Sequence, residues 1–111
     1  MGILTTLGFG KDTPNNYRKI PLDAELTKRA RLLSLAGDET RIRIFCFMFE
    51  YGEACVSDIA ESLGVPVNTV SHHLRMMKDV GLLMSERMGT NICYRLIRDE
   101  FVNNLEKTVC K

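Results

Sequence analysis

The stretch from Pro66 to Leu83, Pro-Val-Asn-Thr-Val-Ser-His-His-Leu-Arg-Met-Met-Lys-Asp-Val-Gly-Leu-Leu, constrains the fold more than any other part of the chain. Its apolar residues Val70, Leu74 and Met77 recur at helical spacing, so one stripe of this helix must be buried. The remaining surface carries Asn68, Thr69, Ser71, His72, Arg75 and Lys78. Hydrogen-bonding groups backed by cations are what a helix needs to lie in the major groove of duplex DNA. Just ahead, Ser57 is placed to cap a short helix running through Leu63, with Asp58 and Glu61 near its positive end. Gly64 supplies the tight turn between the two helices. The pattern predicts a helix-turn-helix.

The flanking sequence extends this unit in both directions. Leu26, Ala30 and Leu33 recur at helical spacing between Leu22 and Ala36, and Gly37 is expected to end that helix in a left-handed conformation. Asp38 is a natural N-cap for the next helix, Glu39 to Tyr51. That segment is apolar nearly all round, with Ile42, Ile44, Phe45, Cys46, Phe47, Met48 and Phe49, and is expected to be the central buried helix. After Gly81, residues 82–87 and 92–97 read as two strands joined at Met88-Gly89-Thr90-Asn91, a β-hairpin wing. Asp99 caps a last helix whose stripe of Phe101, Leu105 and Val109 suits a dimer interface. Residues 1–21, rich in Gly, Thr, Asn and Pro, read as a flexible arm, and residues 22–111 as one domain. The expected architecture is mainly α with a β-hairpin wing, in the order α1-α2-α3-α4-β-β-α5.

Charge is distributed unevenly. The chain of 111 residues has 15 basic and 14 acidic side chains, so it is not a general polycation. Residues 66–98 nevertheless hold five cations (Arg75, Lys78, Arg87, Arg95, Arg98) against two anions, Asp79 and Glu86. A basic face on a neutral domain fits a DNA-binding protein that must also let go. Without a signal-like start or a long apolar run the chain reads as cytoplasmic, with no membrane partner. Structural disulfides are rare in that compartment, so Cys46, Cys55, Cys93 and Cys110 suggest core packing, metal binding or redox sensing. No CxxC pair is present to build a structural zinc site. Nothing resembles a Ser/His/Asp set, a phosphate-binding glycine loop or paired carboxylates, so an enzyme is not expected, and no cofactor is implied.

Several motifs together resemble one family. Leu32-Leu33-Ser34-Leu35-Ala36-Gly37-Asp38-Glu39-Thr40-Arg41-Ile42-Arg43-Ile44, then Val70-Ser71-His72-His73-Leu74, Val80-Gly81-Leu82-Leu83, and Gly89 followed by Tyr94-Arg95-Leu96 resemble the ArsR/SmtB winged-helix repressors. The resemblance covers roughly residues 24–110. It implies a homodimer, joined through the first and last helices, that represses transcription and leaves its double-stranded operator DNA when an inducer binds. Two residues depart from the family pattern. Pro66 stands where a capping Ser or Thr is usual, and Thr90 stands where an Arg often follows the wing glycine.

By position, Asn68, Ser71 and His72 are candidates for base edges, and Thr69 and Arg75 for phosphates, with Arg87 taking up wing contacts. Any of these side chains could instead simply face solvent. His73 could pack beneath the helix or touch DNA. His72 and His73 do not suit one metal ion, because adjacent helical residues point roughly 100° apart.

The cysteines bear on what is sensed. The family's Cys-x-Cys-Asp metal motif corresponds here to Cys55-Val56-Ser57-Asp58, with one thiolate missing. Its other site, Asp-x-His in the last helix, corresponds to Asp99-Glu100-Phe101, without the histidine. Cys46 and Cys110 instead resemble the family's two-cysteine branch, which senses persulfides and other reactive sulfur. That resemblance implies that an inducer (a persulfide, a polysulfide or an oxidant) links these two thiols across the second and last helices. Three other readings stay open: inert buried cysteines, a soft metal or arsenite held by a non-standard cysteine site, and a winged-helix protein-interaction module without DNA duty. Cys93 is expected to pack, and Cys55 has no assigned role.

Overall fold

The fold is described from a computed structural model, over residues 16–111. Most of the expected arm, residues 1–15, lies outside this range; residues 16–21 form neither helix nor strand and are exposed. Five helices and three strands follow: α1 (Ala24–Leu35), α2 (Glu39–Tyr51), β1 (Glu53–Cys55), α3 (Val56–Leu63), α4 (Val67–Asp79), β2 (Leu83–Met88), β3 (Asn91–Leu96) and α5 (Glu100–Val109). This is the expected winged helix-turn-helix with one addition. β1 was not foreseen, and it pairs with β3 to give an antiparallel sheet in the order β1-β3-β2. Three residues are too few to show a period-2 pattern, which is why the strand is silent in the sequence.

Aspartates start three of the helices. Asp23, Asp38 and Asp99 accept hydrogen bonds from the backbone N–H groups of Leu26 (2.8 Å), Arg41 (2.9 Å) and Val102 (2.8 Å). Each satisfies an amide donor that the helix itself leaves unpaired. The two helices of the helix-turn-helix lack such caps. Ser57 does not cap α3; Cys55 occupies the capping position and makes no side-chain cap bond, while Ser57 Oγ lies 3.3 Å from Asn91 Oδ1 at the wing. Pro66 sits at the cap of α4, one residue outside the first turn. Between the two helices Gly64 is left-handed (φ 66°), as the turn requires of a residue without Cβ. Gly37 does not take the expected left-handed conformation, because α1 ends at Ala36 in a right-handed turn.

The core gathers on α2. Ile44, Phe45, Met48 and Phe49 are buried, and Leu32 and Leu35 of α1, Ile59 of α3, Val70, Leu74 and Met77 of α4, Tyr94 of β3, and Val102 and Leu105 of α5 join the same cluster. Two expectations need correction. The α1 stripe of Leu26 and Leu33 is not the core face: these residues are 41% and 55% exposed, and Leu32 and Leu35 are buried instead. On α5, Leu105 and Val102 pack inward, so the expected stripe is partly spent within the protomer, leaving Phe101 half-buried. α2 is likewise not apolar all round in use, since Ile42, Cys46 and Phe47 are only half-buried.

Arginines of α2 tie the helices together. Arg41 donates through Nε to the Leu35 carbonyl at the end of α1 (2.9 Å), and its guanidinium lies 3.9 Å from Met76 Sδ of α4. Arg43 donates to the Leu63 carbonyl at the end of α3 (2.7 Å). Unpaired carbonyls at a helix C-terminus favour such cations. No described helix is long and apolar enough to cross a membrane.

Neighbouring residues of α4 offer a direct test of this packing. Leu74 is fully buried and Arg75 is exposed. Leu74→Ala is expected to cost about 2–5 kcal/mol of unfolding free energy, and Arg75→Ala less than about 0.5 kcal/mol. Urea unfolding followed by circular dichroism measures both; equal losses would contradict the assigned register of α4.

Candidate nucleic-acid interface and cysteine pairs

α4 turns Val70, Leu74 and Met77 inward and leaves its opposite side open. Asn68, Thr69, His72 and Arg75 are exposed on that side, and Ser71 is half-buried. Asn68 Oδ1 accepts from the Thr69 amide (3.1 Å), which occupies one of its acceptor sites within the first turn. Arg87 is exposed on β2 opposite Ile92, near the wing tip. The helix face and the wing tip thus present five of the six expected contact residues to solvent, with Ser71 half-buried.

The structure thins the basic segment. Arg98 donates to the Phe49 carbonyl (2.7 Å), to Asn103 and to Glu106, joining the end of α2 to α5. Arg95 pairs with Glu53 across β1 and β3 (3.5 Å). Arg75, Lys78 and Arg87 remain as the cations of the α4 and wing surface. Arg95 and Arg98 belong to the basic segment in sequence because they follow the wing turn. Strand alternation puts Arg95 on the opposite face of the sheet from Arg87, and that much was legible.

His73, also on α4, is half-buried. Burial lowers its pKa below the ordinary 6.5, the Arg41 charge adds to this, and Asp38 opposes it. Its Nδ1 is buried with no hydrogen-bond partner. Asp38 is held below its ordinary value chiefly by the hydrogen bond from the Arg41 amide. Tyr94 is raised by burial.

All four cysteines meet in pairs. Cys46 on α2 and Cys110, directly after α5, are disulfide-bonded with Cα atoms 5.6 Å apart, inside the about 4.4–6.8 Å range usual for such a bond. They line a surface cavity of about 480 Å³ with Phe49, Glu50, Glu106 and Lys111. Burial pushes the Glu106 carboxyl up, but hydrogen bonds from Lys111 and Arg98 outweigh this and leave it below its ordinary value. Cys55 on β1 stands opposite Cys93 on β3 and is bonded to it. This second pair was missed, because β1 itself was missed. Among the described residues no group of three or more His, Cys, Asp or Glu side chains could hold a metal ion.

A core of five helices with a three-stranded wing, a solvent-facing polar helix and a glycine turn before it define a winged helix-turn-helix protein of the transcription-regulator class. Residues 38–85 match the bacterial regulatory protein, arsR family. An HTH-type transcriptional regulator of Methanocaldococcus jannaschii is 35% identical over 72 residues, 65% of this chain and 81% of the relative. The structure of the AntR antimony-specific transcriptional repressor superposes with a TM-score of 0.69, at 27% identity and 88% coverage of both chains. A homodimeric winged helix-turn-helix DNA-binding domain from Mycobacterium bovis, described as a possible ArsR-family regulator, gives a TM-score of 0.65 at 31% identity over 78% of each chain. The chain belongs to the ArsR family of regulatory proteins.

The lowered His73 pKa fixes a pH dependence. Because the folded protein resists protonating His73, the unfolded chain binds more protons below pH 6.5, and stability falls as pH drops through that value. Asp38 and Glu106, both lowered, lose their contribution only in more acid solution, below their ordinary values of 3.8 and 4.5. Between pH 7.5 and 5.5 the wild type is therefore expected to lose stability, and His73→Gln to lose measurably less. Parallel slopes for the two proteins in denaturant titrations would refute this.

Proposed function

We propose that the protein is a homodimeric repressor that binds double-stranded operator DNA through α4 and the wing. It releases the operator when a thiol-reactive inducer, a persulfide, polysulfide or oxidant, links Cys46 to Cys110. In this reading Asn68, Ser71 and His72 address base edges, Thr69 and Arg75 grip phosphates, and Arg87 contacts the backbone from the wing.

One observation carries the sensing half: two cysteines 64 positions apart meet across α2 and the end of α5, beside an open cavity. With a persulfide RSSH the chemistry closes as follows. One thiolate takes the outer sulfur and releases RS⁻; the second thiolate attacks the resulting Cys–SSH and expels HS⁻. Two protein thiols are oxidised, and RSSH is reduced to RSH and H₂S.

The link can reach DNA through α2. That helix carries Cys46, and its Arg41 and Arg43 hold α4 and the end of α3. A shift of α5 against α2 therefore pulls on both helices of the DNA-binding unit. A coupling of about 1–3 kcal/mol changes operator affinity 5–150-fold.

Dimerisation is supported by the α1 surface. Leu22, Leu26 and Leu33 are exposed apolar residues on or beside that helix. Arg29 of α1 lies over the Phe101 ring of α5 (5.6 Å), so the two helices share a surface. The Mycobacterium bovis relative is homodimeric. Leu33→Glu is expected to shift sedimentation from dimer to monomer and to weaken DNA binding; an unchanged dimer would place the interface elsewhere.

A second reading, a repressor gated by a soft metal or arsenite, takes its support from the antimony-specific relative. The donor set favours it less, since soft-metal sites want three or four converging thiolates and the cysteines here meet only in twos. A protein-interaction module is the remaining alternative, and a lack of any salt-sensitive duplex binding would favour it.

The test uses a duplex selected from a random pool by the wild-type protein. Arg75→Ala should weaken binding uniformly across sequences and reduce the log–log salt slope by about 1 per protomer. Cys46→Ser should bind the duplex normally yet keep it after polysulfide treatment. Release of that variant by polysulfide would end the dithiol account, and a stoichiometric metal adduct with unmodified thiols would favour the second reading.

A further inference from the structure

The second cysteine pair lies in a different part of the fold. Cys55 is the last residue of β1 and the residue immediately before α3. Cys93 is its directly opposed partner in the β1–β3 register, and the two are bonded. Directly opposed residues of an antiparallel ladder put their side chains on the same face. Glu53 and Arg95, opposed in the same way, share that face, as do Met84, Glu86 and Met88 of β2. The opposite face carries Ala54, Tyr94 and Ser85, with buried Tyr94 turned to the core. The cysteines therefore lie on the outer side of the wing sheet, in a shallow cavity of about 420 Å³. No residue lining it also lines the cavity beside Cys46 and Cys110.

We infer that Cys55 and Cys93 are a second thiol–disulfide site, reactive toward low-molecular-weight disulfides independently of Cys46 and Cys110. The cavity admits the reagent, and the ladder holds each thiol within reach of the other. Either thiolate attacks one sulfur of the disulfide RSSR and expels RS⁻. The remaining cysteine, as thiolate, attacks the protein sulfur of that mixed disulfide and expels the second RS⁻. The protein loses two thiol protons and two electrons, and RSSR leaves as two RSH.

The position of the bond gives it a mechanical consequence. β1 holds the sheet through three register pairs, and α3 begins at the next residue. A Cys55–Cys93 bond fastens the start of α3 to the middle of the wing's inner strand. The Ser57–Asn91 contact spans the same two elements. Oxidation therefore ties the start of α3 to the wing without touching the α2–α5 junction.

The Cys46→Ser/Cys110→Ser double variant, which retains only the second pair, is incubated with oxidised glutathione, alkylated and peptide-mapped without reduction. The expected product is a Cys55–Cys93 cross-linked peptide, with both thiols protected from alkylation. Amide hydrogen exchange at residues 53–55 is expected to slow at least severalfold, and dithiothreitol to reverse both effects. The wild-type protein is mapped in parallel, so poor folding of the double variant cannot mask the result. Two alkylated cysteines, or two stable glutathione adducts, in the wild type would overturn the inference. The same samples separate it from the proposed function: failure of the untreated wild type to bind any duplex would remove the repressor reading and leave this thiol chemistry standing.

Discussion

The packing of one helix governs the rest of this structure. α2 buries Ile44, Phe45, Met48 and Phe49 in the common core. At about 1.5–3 kcal/mol for each large apolar side chain removed from water, this face is the main anchor on which the other helices settle. The arginines of the same helix then fix where those helices end, Arg41 at Leu35 and Arg43 at Leu63. The stretch around Asp38 to Ile44 thus serves architecture. Its aspartate caps α2, its arginines close α1 and α3, and its isoleucine fills the core.

That arrangement explains how a thiol pair far from α4 could govern it. Cys46 shares a helix with the two arginines, and Cys110 sits at the end of a helix whose Val102 and Leu105 lie in the same core. Packed interfaces move in discrete steps and do not deform smoothly. A covalent link across α2 and α5 therefore acts on elements already braced against the DNA-binding unit. The polar network of Arg98, Glu106 and Lys111 borders the same junction, so the region around the thiols is held on one side by charge and on the other by core.

Much of this was legible in the sequence. The helix-turn-helix, the caps at Asp38 and Asp99, the wing and the polar face of α4 follow from periodicity, capping chemistry and glycine placement, and all are present. The misreadings have physical causes. Leu26 and Leu33 match helical spacing as well as Leu32 and Leu35 do, and spacing alone does not say which stripe meets the core and which meets a partner. Ser57 is a better capping residue than Cys55, yet the helix begins at Val56, directly after β1 ends at Cys55 and two residues before a Ser57 cap would start it. Arg98 reads as wing charge until α5 folds back beside it. Cys55 and Cys93, 38 positions apart, are joined only by strand pairing, which depends on tertiary register and has no local signature.

The central claim is that one covalent link between α2 and α5 sets operator occupancy. It is tested by titrating a polysulfide into the DNA-bound protein while recording, in the same samples, the fraction of protomers with linked Cys46 and Cys110 and the fraction of duplex released. Release that tracks the Cys46–Cys110 link throughout the titration is the predicted result. Release complete before that link forms, or full linkage with the duplex still bound, would contradict it.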